Sequence, residues 1–157
     1  MNARSMRRLM EGMPNFPVLI QSTAIYQVLS PNQWGVILVP NLAGTVTIQM
    51  PSATGGGMWF EIYLGTLSAG QTTIVKRGQS SDRLQGSVFI GVHATNNGEV
   101  FQASQTANAN TVTLNGTTQG GVSVGDTLLF TDIMVGVWSI QGTVVGSGSV
   151  ATPFSNT

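Results

Sequence analysis

The sequence predicts an all-β protein, an antiparallel β-sandwich or jelly-roll-like domain preceded by an extended N-terminal arm. Three observations predict it: short apolar runs that alternate every second residue, glycine and polar turn residues between them, and no long helical periodicity beyond residue 17. The chain divides accordingly into an arm, residues 1–17, and one β domain, residues 18–157. A chain of 157 residues can bury a sizeable core without disulfides or metals.

The arm is distinct in composition. Arg4, Arg7 and Arg8 are half of the six Lys and Arg residues, Met6, Leu9, Met10 and Met13 are interleaved with them, and Pro14 and Pro17 follow. A short helix over about residues 3–10 would align the Met and Leu side chains on one face and stop before Pro14. So short a helix is marginal in isolation. The segment therefore reads either as a frayed terminus or as an arm that orders on a partner. Its Arg-bearing start has a superficial likeness to a transit peptide, but it lacks the apolar stretch and small-residue cleavage site of a secretory signal.

Strand candidates follow in order. Residues 18–29 and 35–39 are separated by Ser30, Pro31 and Asn32. Over residues 45–50, Val46, Ile48 and Met50 alternate with Thr45, Thr47 and Gln49. Residues 52–57 read as a flexible glycine loop, and residues 59–64 place Phe60, Ile62 and Leu64 opposite Trp59, Glu61 and Tyr63. Residues 72–76 and 87–93 continue the series across a charged, turn-rich stretch at 77–86. Residues 111–114, 126–131 and 135–140 complete it, with 143–145 prolonging the last element. No helix is needed between these eight to ten strands, which favours antiparallel pairing.

Residues 96–110 are the polar exception, with Val100 and Phe101 their only large apolar side chains. A long exposed loop or protruding hairpin is expected there. Segments of that kind are often functional, so Asn96, Asn97, Glu99, Phe101, Gln105 and Asn108 form a candidate contact surface.

Composition constrains function. Only 8% of residues are charged and the formal net charge is zero, against a usual charged share of about a quarter. With 41% apolar residues the chain should fold, and its low net charge removes the repulsion that opposes association. Balanced charge argues against nucleic acid as the main partner. Without cysteine there is neither a disulfide framework nor a thiolate metal site. No apolar run reaches the roughly 20 residues that span a bilayer, so no membrane role is expected.

Catalytic chemistry finds few candidates. His93 is the one imidazole, placed by alternation on the face of Phe89 and Gly91, and a structural role is expected over a base paired with Asp126 or Glu99. A Ser-His-Asp arrangement would have to form around that one histidine. Glu61, Asp82, Glu99, Asp126 and Asp132 could supply a carboxylate pair, but isolated acids among turn residues more often cap turns or face solvent. The three glycines at 55–57 precede a strand rather than a helix and lack the Lys of a phosphate loop. Trp34, Trp59 and Trp138 lie in or beside apolar strands, which points to core or subunit packing over sugar stacking. Neither catalytic residues nor a cofactor or metal site is expected.

One resemblance adds to this. Residues 122–148, VSVGDTLLFTDIMVGVWSIQGTVVGSG, combine a Gly125-Asp126 turn, an apolar strand over 128–130, and Trp138 leading through Ile140 to Gly142 and a Gly/Ser-rich tail. Residues 36–65, VILVPNLAGTVTIQMPSATGGGMWFEIYLG, and 72–88, TTIVKRGQSSDRLQGSV, supply strand, glycine loop and strand. Together they resemble the capsid decoration, or cement, proteins of tailed bacteriophages, over roughly residues 35–148. The resemblance implies a non-enzymatic homotrimer on the virion surface whose partner is the major capsid protein. The arm departs from that family pattern; its own residues suggest that Arg4, Arg7 and Arg8 pair with acidic groups of a major capsid protein, while Met6, Leu9 and Met10 fill a shallow apolar groove. The alternative is a tail-fibre, spike or baseplate module that binds a host-surface glycan, which exposed Trp or Tyr at loop tips would favour.

Overall fold

The computed structural model describes residues 18–19, 26–29, 31, 35–39, 44–67, 70–95 and 97–157. The arm residues Arg4, Met6, Arg7, Arg8, Leu9 and Met10, together with Trp34 and Asn96, lie outside the described residues.

Period-two alternation becomes strands throughout. β1 (Val18–Leu19), β3 (Gly35–Val39), β5 (Trp59–Leu64), β7 (Arg83–Val92), β8 (Gly98–Gln102), β10 (Thr127–Met134) and β11 (Val137–Gly146) build one seven-stranded sheet. β2 (Tyr26–Val28), β4 (Thr45–Gln49), β6 (Thr72–Lys76), β9 (Thr111–Leu114) and β12 (Phe154–Ser155) build a five-stranded one. The strand order is β1-β3-β5-β10-β11-β7-β8 in the first and β12-β9-β6-β4-β2 in the second. The all-β sandwich expected from sequence is present.

Strand direction departs from the antiparallel expectation. The chain alternates between the sheets from β1 to β7, so β1, β3 and β5 pair in parallel, as do β2, β4 and β6. A parallel neighbour needs a long crossover. Here that crossover is a strand of the opposite sheet, which is why no helix is required and why helix-free spacing misled. The first half is thus a two-sheet coil, in which Gly35 lies beside Phe60 and Thr45 beside Thr72. The second half closes it with antiparallel pairs: hairpin β10–β11 enters between β5 and β7, β8 folds back on β7, and β9 and β12 extend the smaller sheet. β11 runs parallel to β7 over ten residue pairs from Val137↔Arg83 to Gly146↔Val92. This connectivity is not that of a jelly roll, whose strands run antiparallel.

The core lies between the sheets. Ile37, Phe60, Ile62, Leu128, Phe130, Ile140 and Val88 face Ile48, Val75, Val112 and Leu114, all fully enclosed. Each such side chain contributes about 1.5–3 kcal/mol through burial. Trp138 is the largest, with its ring 5.8 Å from that of Phe60 and tilted 57° to it. Its Nε1 donates to the Pro51 carbonyl at 3.2 Å, which satisfies the one polar atom it buries. Core packing, the expected use of the tryptophans, is what Trp138 does. Among the described residues no helix is long and apolar enough to cross a membrane.

Candidate interaction surfaces

The residues 52–57, expected to be a flexible loop, are instead held to β10. Asp132 shares the inward parity of Leu128 and Phe130, so its carboxylate enters the interior rather than solvent, and it is buried. A buried charge needs hydrogen-bond donors. Thr54 N–H (3.0 Å), Thr54 Oγ1 (2.8 Å) and Gly56 N–H (3.0 Å) donate to Oδ2, and Gly55 N–H donates to Oδ1 at 2.7 Å. The glycine loop therefore forms an anion-binding nest filled by the protein's own carboxylate. Desolvation pushes the Asp132 pKa up, but the bonds from Gly55, Thr54 and Gly56 together outweigh it and hold the group below the ordinary carboxylate value.

Two further aspartates act alike. Asp82 Oδ2 accepts the Ala53 and Gln79 N–H groups at 3.2 and 3.1 Å, and Asp126 Oδ2 accepts those of Gly121 and Val145 at 2.9 and 3.0 Å. Both are buried, and burial raises the Asp126 pKa against the pull of its backbone donors. Turn capping, one of the two roles expected of the isolated acids, is the role of these three. His93 is exposed in the turn after β7 and ties to Gly146 through its backbone N–H, not through its ring.

At the end of the sandwich where β10 turns into β11, Ile133, Met134 and Val135 are exposed in succession, at 53%, 57% and 79%. Three consecutive exposed apolar residues at a turn are unfavourable in water unless something covers them. The tip is braced: Gly136 N–H donates to Ala53, Arg83 N–H to Gly136, and Gly57 N–H to Asp132. Beside it opens a cleft of about 490 Å³ lined by Arg77, Ser80, Arg83, Asn108, Met134 and Val135, among others. Arg77 Nη1 donates to the Ser80 carbonyl at 2.6 Å, which fixes its guanidinium at the rim.

The outer face of the seven-stranded sheet is the other broad surface. Register aligns Leu38, Tyr63, Thr127, Thr143, Phe89 and Val100 in one row, and Val36, Glu61, Leu129, Gln141, Ser87 and Gln102 in the next. Glu61 is the one charged residue in the two rows, and Tyr63 Oη donates to its Oε1 at 3.1 Å. Phe89 and Val100 are 41% and 57% exposed. A depression of about 390 Å³ lies between Phe89, Val100, Leu129 and Thr143.

The contact residues expected within 96–110 are not gathered in one place. The segment forms edge strand β8 and a 3-10 turn at Ala103–Gln105 rather than a free loop. Asn97 and Glu99 are exposed near the far end of β7, Gln105 is exposed after β8, and Asn108 lines the arginine cleft. Phe101 opposes Val88, an inward position, and packs half-buried against the core. No family model matches the chain, and neither a curated protein nor a solved structure shows significant similarity to it.

Proposed function

We propose that the protein is a structural virion protein, a capsid decoration or cement protein that assembles as a homotrimer and binds the major capsid protein on the virion surface. The observation that carries the assembly part is the outer face of the larger sheet, with one charged residue in two six-strand rows and with Phe89 and Val100 exposed. Such a face associates without stripping water from many charges, in keeping with the charge-poor centres of protein interfaces. The capsid part is supported by the sequence resemblance over residues 35–148. Cement action follows if the trimer binds the assembled lattice in preference to free subunits, since each weak contact is then multiplied by the oligomer.

The test combines light scattering of the purified chain with co-sedimentation on capsids that lack it. A trimer that saturates the lattice at fixed stoichiometry supports the proposal. A monomer that stays in the supernatant overturns it. Deleting residues 1–17 in the same assay tests the arm: unchanged capsid binding would remove Arg4, Arg7 and Arg8 from the contact.

A further inference from the structure

We infer that the cleft beside the β10–β11 tip is a docking site for an acidic and apolar segment of a partner protein. A carboxylate enters between Arg77 and Arg83, and the aliphatic side chain next to it packs on Met134 and Val135. The inference rests on the assembly role proposed above and specifies what chemistry the partner presents.

Charge distribution favours that occupant. Lys76, Arg77 and Arg83 are the three Lys and Arg residues among the described ones, and all stand at this end of the sandwich, around the turn between β6 and β7. Two carboxylates stand nearby and both are buried: Asp132 accepts backbone N–H groups and the Thr54 hydroxyl through its two oxygens, and Asp82, which also lines the cleft, accepts the Ala53 and Gln79 N–H groups on Oδ2, so the three cations outnumber the two carboxylates. The Arg83 side chain is exposed, and its guanidinium has no hydrogen bond or ion pair among the described residues. Arg77 uses Nη1 on the Ser80 and Asp82 carbonyls, which orients the guanidinium while its other donors stay available. Two guanidinium groups at one cleft are suited to a carboxylate.

The apolar half of the site is equally specific. Met134 and Val135 are exposed on a tip that Asp132 and the glycine loop hold in place, so little ordering remains to be done when a partner binds. A polarizable Met beside a branched Val accepts aliphatic side chains of varied shape. The cleft volume of about 490 Å³ is within the usual range for a ligand site, roughly 300–1,000 Å³, and has room for two or three side chains. A sugar would be expected to meet an aromatic platform, and among the described residues that line the cleft none is aromatic.

The probe is the capped tetrapeptide Ac-Asp-Leu-Asp-Leu-NH2, titrated by NMR into the isotope-labelled full chain. Its amide counterpart, Ac-Asn-Leu-Asn-Leu-NH2, and free glucuronate serve as comparisons. Saturable shifts centred on Arg83, Asn108, Met134 and Val135 are expected, with at least tenfold weaker binding of the amide peptide and of the R83Q variant. V135S should weaken binding several-fold without altering the salt dependence. Shifts centred elsewhere, or equal binding of both peptides, overturn the inference, and binding of glucuronate but not peptide overturns it in favour of an acidic glycan. Both variants alter exposed side chains, so folding is not at stake. Capsid co-sedimentation separates the two proposals. Peptide binding by a chain that ignores capsids removes the cement role and leaves the cleft; capsid binding equal in wild type and R83Q removes the cleft and leaves the cement role.

Discussion

Asp132 and Gly55 are joined across 77 residues of chain by a 2.7 Å bond from the Gly55 backbone N–H to Oδ1, while Oδ2 takes the N–H groups of Thr54 and Gly56. Because both oxygens accept, an amide cannot replace the carboxylate: whichever way it is turned, its NH2 meets a backbone donor. Asp132→Asn should therefore cost roughly 2–4 kcal/mol, the scale of lost charge-assisted bonds plus donors left buried. Urea denaturation at neutral pH measures this. A loss below about 0.5 kcal/mol would mean that the loop does not depend on the charge.

The same bonds set a pH dependence. The folded pKa of Asp132 lies below its ordinary value of 3.8, so its contribution is present above that value and lost as pH falls through the lowered folded one. Asp126 has the opposite sign. Burial raises its folded pKa above 3.8, so its favourable contribution is complete below that value and is lost as pH rises through the raised one. Asp126→Asn should therefore cost little at pH 7, because one amide oxygen can accept both the Gly121 and Val145 N–H groups that now share Oδ2, with the Ser123 N–H the one further backbone donor beside the group. Denaturation at pH 3 and pH 7 tests it. A variant more than about 2 kcal/mol less stable than wild type at pH 7 would show that the charge itself is needed.

The two aspartates show what sequence discloses. Alternation over residues 45–50 and 59–64 identified the buried side chains correctly, because period two reports directly which face of a strand meets the core. It does not report which sheet a strand joins. That choice is made by the arches between strands, and here it converts sequence neighbours into members of opposite sheets. The glycine nest did leave a signal. Asp132 follows Leu128 and Phe130 at inward parity, where an acid needs donors, and the glycine-rich loop at 52–57 supplies them. Ile133 and Met134 fall in the break expected between strand candidates 126–131 and 135–140, whereas the structure continues β10 through Met134 and exposes both, with Val135, at a tip.

The long parallel seam between β7 and β11 depends on Gly86. Its φ of +118° is one that other residues rarely adopt, and a Cβ there would lie 2.0 Å from the Ile140 carbonyl oxygen. Gly86→Ala should cost well over 3 kcal/mol or prevent folding, since both backbone strain and steric overlap act against it. Gly57→Ala is the control. Its φ is +75° with nothing within 4 Å of the added carbon, so only the left-handed penalty of about 1–2 kcal/mol applies. Thermal melting of the pair should separate them by tens of degrees or by a failure of Gly86→Ala to express. Equal melting temperatures would mean that β7 and β11 can part at Gly86 without loss.

If the outer sheet face joins copies of the chain, a charge placed at its centre should separate them without unfolding any one of them. Phe89 is suited to this because it is 41% exposed and paired with Thr143 on one side and Val100 on the other, with Val88 and Ile90 directed to the core. Phe89→Glu would put a carboxylate in a row that now has none, and burying it unpaired would cost several kcal/mol per interface. The expected result is a monomer by light scattering, with a circular dichroism spectrum like that of the wild type and a melting temperature that no longer depends on concentration. A variant that stays associated would place the interface elsewhere. The β10–β11 tip is then the next surface to examine, because Met134→Ser and Val135→Ser test it without touching the sheet.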